Sequence, residues 1–306
     1  MSTLFLLNFY VTNLTERGKK LVSYETYNIY TGLLKTHDIF RPTSAGVNLT
    51  YDVSDEKLRR LREKYTLDGV AGGGDDLSKA LRLLHWLSDS VYHKGDGPSP
   101  EPMNSLSLLE YAYKKGSDCG INCRALSIIL TECLLSIGIP ARTVYIMPCS
   151  PYDFDNHVIS HAFIKPLNKW VMLDPTFSSY VLDENNNILN CVEIRSRLAN
   201  RENISFNKEI HYNGEKRGRD SGEYTEYLAK DLFYFSTYER SGYGAEQNSR
   251  RITICPKNFD AKVSAIYNVE YRIKLGNNNE QMRDWLKSVK KEKLIYASTD
   301  ELLKSP

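Results

Sequence analysis

The sequence predicts an α+β protein in which one apolar helix packs on an antiparallel sheet. Two observations carry that prediction. From Cys123 onward, Leu126, Ile129, Leu130, Cys133, Leu134 and Ile137 form one helical stripe that stops at Gly138. Three strand-like segments come next, Arg142 to Met147, His157 to Ile164 and Trp170 to Asp174, with Pro166-Leu167-Asn168 as a turn between the last two.

Upstream, Leu58, Leu61 and Tyr65 share one face of a charged surface helix over Asp55 to Tyr65. After Ala71-Gly72-Gly73-Gly74, Asp75 or Asp76 caps a stronger helix carrying Leu77, Ala80, Leu81, Leu84, Leu87 and Val91. The glycines lack a Gly-Lys-Ser/Thr ending and precede two acids, so they read as a linker rather than a phosphate loop. Asn122 is the expected N-cap of the Cys123 helix. Beyond Tyr180 the signals weaken. Asp183 to Asn187 reads as a turn and Asn200 to Arg219 as a long loop. Arg251 to Cys255 and Ser264 to Leu275 read as strands, and Gln281 to Val289 as a helix. The apolar run Leu4 to Val11 has neither a basic segment before it nor a cleavage site after it, so it reads as a strand or buried segment.

Composition narrows the function classes. With 41% hydrophobic and 25% charged residues the chain is an ordinary globular one, and a net charge of +2 argues for no nucleic-acid or membrane partner. No apolar run approaches the roughly 20 residues that span a bilayer. Six cysteines in 306 residues make no disulfide scaffold, which favours a reducing, cytoplasmic setting. Cys133 and Cys255 read as small core hydrophobes. Asn-x-Ser/Thr triplets at Asn13, Asn48 and Asn203 matter only in a secreted protein. Neither Cys119-Cys123 nor His157-His161 has convincing zinc spacing, so no metal or cofactor is expected. His85 and His93 read as structural or solvent-exposed.

A cysteine at a helix N-terminus meets the first requirement of thiol catalysis, because free N–H groups and the helix dipole favour the thiolate. Three segments in order then carry a resemblance. The helix from Cys123 ends in Gly138-Ile139-Pro140-Ala141-Arg142, a strand with His157 and His161 comes second, and Lys169-Trp170-Val171-Met172-Leu173-Asp174-Pro175-Thr176 comes last. This resembles the transglutaminase-like superfamily over about residues 77 to 180. One departure is confined to the turn before the helix: the family often has Gly two residues before its cysteine, where Ile121 stands, with Gly120 one step earlier.

The resemblance implies a papain-like core over 71–182, an N-terminal extension over 1–70 and a C-terminal extension over 183–306. It implies a triad of Cys123, His157 and Asp174. Cys119 is the competing nucleophile, off the fifteen-residue spacing to Gly138. His157 and His161 lie four apart on one face of a strand, and either can be the base. We take His157, which lies seventeen residues before Asp174 and leaves His161 at the family's acidic position. A tight turn at Leu167-Asn168 would instead set His161 opposite Asp174. The implied chemistry is hydrolysis of a peptide or protein amide through a thioester. The alternatives are transglutaminase-type acyl transfer and a non-catalytic binding module.

Overall fold

The computed structural model describes residues 16–98, 100–218, 221–276 and 279–306; Leu4 to Val11 and the triplet at Asn13 lie outside them. Among the described residues, besides a single turn at Leu67–Ala71, five helices precede the sheet: α1 (Glu16–Thr36), α2 (Glu56–Lys64), α3 (Asp76–Ser90), α4 (Ser105–Lys115) and α5 (Cys123–Ser136). Their starts follow from local chemistry. Asp55 accepts the N–H of Lys57 at 2.8 Å, Asp75 that of Ser78 at 2.8 Å and Asn122 that of Ala125 at 3.0 Å. Helix α5 is buried on every side from Ala125 to Ser136, which explains its apolar sequence. It ends where Gly138 takes φ +86°, with Gly138 N–H on Leu135 O and Ile139 N–H on Leu134 O, each at 3.0 Å. That pair of bonds satisfies carbonyls the helix would leave free.

The sheet is built from β1 (Ala141–Met147), β2 (His157–Ile164) and β3 (Lys169–Leu173), then, after α6 (Cys191–Ala199) and α7 (Gly222–Asp231), from β4 (Tyr234–Tyr238) and β5 (Arg251–Ile254). Its order is β5-β4-β1-β2-β3, antiparallel throughout. Helices cover both faces. Ala162, Val171 and Leu173 join the core of α2 to α5, whereas Val144, Ile159 and Met172 join that of α1, α6 and α7. Helices α8 (Ala261–Lys274) and α9 (Glu280–Lys291) pack on each other after the last strand.

A run of hydroxyls fixes α5 on the sheet. Ser127 donates to Val158 O at 2.7 Å, Ser160 donates back to Ser127 O at 3.0 Å, and Thr131 bonds Ser160 and Thr143. Ser127 lies one turn after Cys123, and Val158 lies next to His157. This lock therefore sets the thiol relative to the imidazole. Glu132, fully enclosed in α5, accepts Ser105 N–H and Gly244 N–H, each at 2.9 Å. Burial, only partly offset by those donors, pushes its carboxyl up to about 7.

Several expectations need correction. Ser264 to Leu275 is not a strand but most of α8. Val263, Ile266, Val269 and Ile273 recur at helical spacing, and Asp260 caps the start by accepting two N–H groups at 3.0 Å. The β-branched residues suggested strand, and tertiary packing overrode that propensity. Asn200 to Arg219 holds short strands at Ser205–Phe206, His211–Tyr212 and Glu215–Lys216. The turn before β3 is a 3-10 turn at Lys165–Leu167, closed by Asn168 at φ +45°.

Candidate active site

Cys123 opens α5 and lines a cleft of about 1130 Å³. Burial opposes its ionisation, but His157 and then His93 outweigh that, and the thiol pKa falls to about 6. The first turn of α5 adds its free N–H groups.

His157 opens β2, and its Nε2 lies 2.6 Å from Asp174 Oδ2. That leaves Nδ1 as the ring nitrogen available to the sulfur. The β2–β3 register pairs His161 with Met172, and continuing it sets Asp174 opposite Ile159. Both histidines are then two residues away on the same face, within diagonal reach. The Asp174 carboxylate bonds His157, and three further groups hold the residue. Its main chain bridges to Ser179, Thr176 N–H donates to Oδ1 at 2.9 Å, and Tyr224 hydroxyl donates to Oδ2. Burial works against a charged Asp174, yet His157, Tyr224 and Thr176 together hold its carboxyl below the usual range. Burial likewise opposes a charged His157, and Asp174 with the thiol outweighs it, so its pKa stands well above the ordinary value. Thiolate and imidazolium are each stabilised by the other.

The remaining candidates lie elsewhere. His161 is buried, stacks on Trp170 at 5.6 Å and accepts Cys191 N–H at 3.3 Å. Burial and then Arg142 hold its pKa well below 6.5. Cys119 contacts Tyr111 hydroxyl at 3.3 Å and is not among the residues that line the cleft. His85 bonds Ser178 Oγ at 2.7 Å. His93, expected to be structural or exposed, is buried in the cleft wall beside Cys123. Sequence reasoning also missed Tyr224, whose only local signal, Ser221 three residues earlier as a cap, marks a helix and not a site.

Tyr145 and Tyr238 flank the Cys123 side of the cleft, and Tyr227 and Phe177 lie 5.4 and 6.1 Å from the His157 ring. Ala265 and Asn268 of α8 and Trp285 of α9 line it farther out. Among the described residues no group of three or more His, Cys, Asp or Glu could hold a metal, and no helix is long and apolar enough to cross a membrane.

Residues 63–175 match the sequence model of the Transglutaminase-like superfamily. Over that segment the chain is similar to a transglutaminase-like core. Its span holds the helix, the three strands and all three residues of the expected triad. No curated protein matches the chain. Among solved structures, a candidate cysteine protease from Cytophaga hutchinsonii is similar at 17% identity and TM-score 0.31, over 50% of this chain and 48% of that one. A candidate protease from Parabacteroides distasonis is similar at 13% identity and TM-score 0.28, over 53% of this chain and 30% of that one. The matched part spans half or less of either protein.

Proposed function

We propose that this protein is a cysteine-dependent amide or peptide hydrolase, with Cys123 as nucleophile, His157 as acid and base, and Asp174 as the group that orients His157. One observation carries the reading: a thiol with pKa about 6 at a helix N-terminus, beside a buried imidazole bonded at 2.6 Å to a buried carboxylate, with the thiol and the imidazole lining the cleft. At neutral pH the thiolate attacks the carbonyl carbon. A C–S bond forms as the C=O π pair moves to oxygen. When the C=O re-forms, the C–N bond breaks and the leaving amine takes the proton from His157. Water then adds to the thioester while His157 accepts its proton, and the thiolate leaves. Asp174 holds Nε2–H and stabilises the imidazolium.

The test is acylation of the full chain by a library of peptide amides and esters, followed by intact mass and peptide mapping. We expect a thioester on Cys123 that water resolves, with no adduct and no turnover in Cys123→Ala while the thermal midpoint is retained. Resolution only by an added amine would indicate acyl transfer instead. An adduct on Cys119 would overturn the assignment.

A further inference from the structure

The hydrolytic steps leave a second imidazole in the site without a role. His93 comes after α3, and its main chain pairs with the residue two before the nucleophile. Ile121 N–H bonds Tyr92 O at 3.0 Å and Lys94 N–H bonds Ile121 O at 2.9 Å, with His93 and Ile121 as the bridge. The close approach needs Gly120, where a Cβ would fall 2.7 Å from Tyr92 O. From the other side Asn213 clamps the same residue. It accepts His93 N–H at 2.8 Å and donates to His93 O at 2.9 Å.

The ring is fixed as well as the backbone. Nδ1 lies 3.0 Å from Tyr212 hydroxyl, and the Tyr212 ring packs edge-on at 5.4 Å. Nε2 is buried and has no formed hydrogen bond among the described residues. A buried polar nitrogen left unpaired in so constrained a ring is costly unless something arrives to meet it. The neighbouring group is the Cys123 sulfur, close enough for His93 to favour the thiolate although the resting geometry falls short of a hydrogen bond. Among the described residues no carboxylate holds this ring as Asp174 holds His157. A Tyr212 hydroxyl that donates to Nδ1 puts a ring proton on Nε2.

We propose that His93 is a catalytic residue that donates Nε2–H to the oxyanion formed when Cys123 attacks a carbonyl, alongside the backbone N–H of Cys123. The inference rests on the hydrolase reading. No proton is transferred from His93. The hydrogen bond strengthens as the C=O pair moves onto oxygen and relaxes when the C=O re-forms and the leaving group departs. Tyr212 sets the tautomer, and Asn213 with Gly120 sets the position.

Two reagents separate this role from mere support of the thiolate. Acylation by p-nitrophenyl acetate passes through an oxyanion; alkylation by iodoacetamide displaces iodide in one step and does not. Both rates are read at Cys123 of the full chain, at a pH where the thiol is ionised in every variant. For His93→Ala we expect acylation to fall about 10²- to 10³-fold while alkylation falls less than about tenfold. His93→Gln, which offers an amide donor, should recover part of the acylation rate. Equal losses in both reactions, or His93→Gln as slow as His93→Ala, would overturn the proposal and leave the nucleophile assignment intact. Should the His93 variants fail to fold, Tyr212→Phe decides, since it keeps the ring and removes the hydroxyl. Slower acylation with unchanged alkylation supports the role, and unchanged acylation refutes it. If Cys123 of the native chain reacts selectively with neither reagent, the hydrolase reading itself fails.

Discussion

Two positions on one face of β2 carry the same side chain with opposite electrostatic outcomes. At one end His157 meets a carboxylate and a thiol, and burial alone would strip its charge, yet it holds a proton well above its ordinary pKa. Four residues on, in mid-strand, His161 meets the guanidinium of Arg142, which lies between Trp170 and Tyr51 at 3.9 and 4.9 Å, and its pKa is held well below the ordinary value. Burial is complete at both positions, so desolvation cannot distinguish them. The sign of the nearest charge does. The difference teaches that the charge a buried histidine meets, rather than its burial, sets whether it keeps its proton.

The sharpest way to break this contrast is to remove each ring in turn. His157→Ala should lower turnover by at least about 10³-fold, the scale of a lost acid–base group. His161→Ala should retain measurable turnover and lose mainly stability. Steady-state rates beside thermal midpoints check this, and a reversal of the two would hand the base to His161. A smaller effect is expected one bond further out. Asp174→Asn should cost about 10- to 10³-fold in turnover, less than in a serine triad because a thiolate depends less on its base. Tyr224→Phe, which removes one donor from the same carboxylate, should cost less still. A variant that melts early but turns over normally when cold would make Asp174 a prop of the β3 end.

The smallest effect sharpens the comparison through pH. His157 binds its proton more tightly in the folded state. Its contribution to stability is full below about pH 6.5 and is lost as pH rises through the folded value. His161 is depressed, so its contribution is present above about pH 6.5 and is lost as pH falls toward its folded pKa. Denaturant unfolding of His157→Gln and His161→Gln across this range should therefore give stability gaps that tilt in opposite directions, by at most about 1.4 kcal/mol per pH unit. Parallel curves would show that neither ring is coupled to its neighbour as described.

Much of the core was legible because its determinants are local. Asn122, the apolar stripe after Cys123 and Gly138 each act within one helix, and the helix ends where they say it should. That His157 rather than His161 would meet Asp174 was legible only through motif register, since propensity treats the two histidines of β2 alike. Tyr224 was not legible. It is one of 21 tyrosines, fifty residues after Asp174, and it reaches that carboxylate by the packing of α7. His93 was hidden for the same reason, because its meaning lies in a bridge to Ile121 and a clamp by Asn213. Helix α6 has a readable capping box, Asn190 with Glu193, but it opens a stretch whose weak periodicity conceals the helix.

The strand order has a consequence for synthesis. Strand β1 sits between β2, its immediate successor in the chain, and β4, which begins only at Tyr234. As the chain leaves the ribosome, α5 and the β1–β3 meander can assemble while the other side of β1 has nothing to pair with. An unpaired apolar edge is a template for intermolecular association. The same interval lacks Tyr224 and Tyr212, so the nascent protein holds Cys123, His93 and Asp174 before it holds the hydroxyls that bond the last two. A fragment ending at residue 175 would freeze the molecule at that stage, with an open edge and an unsupported Asp174.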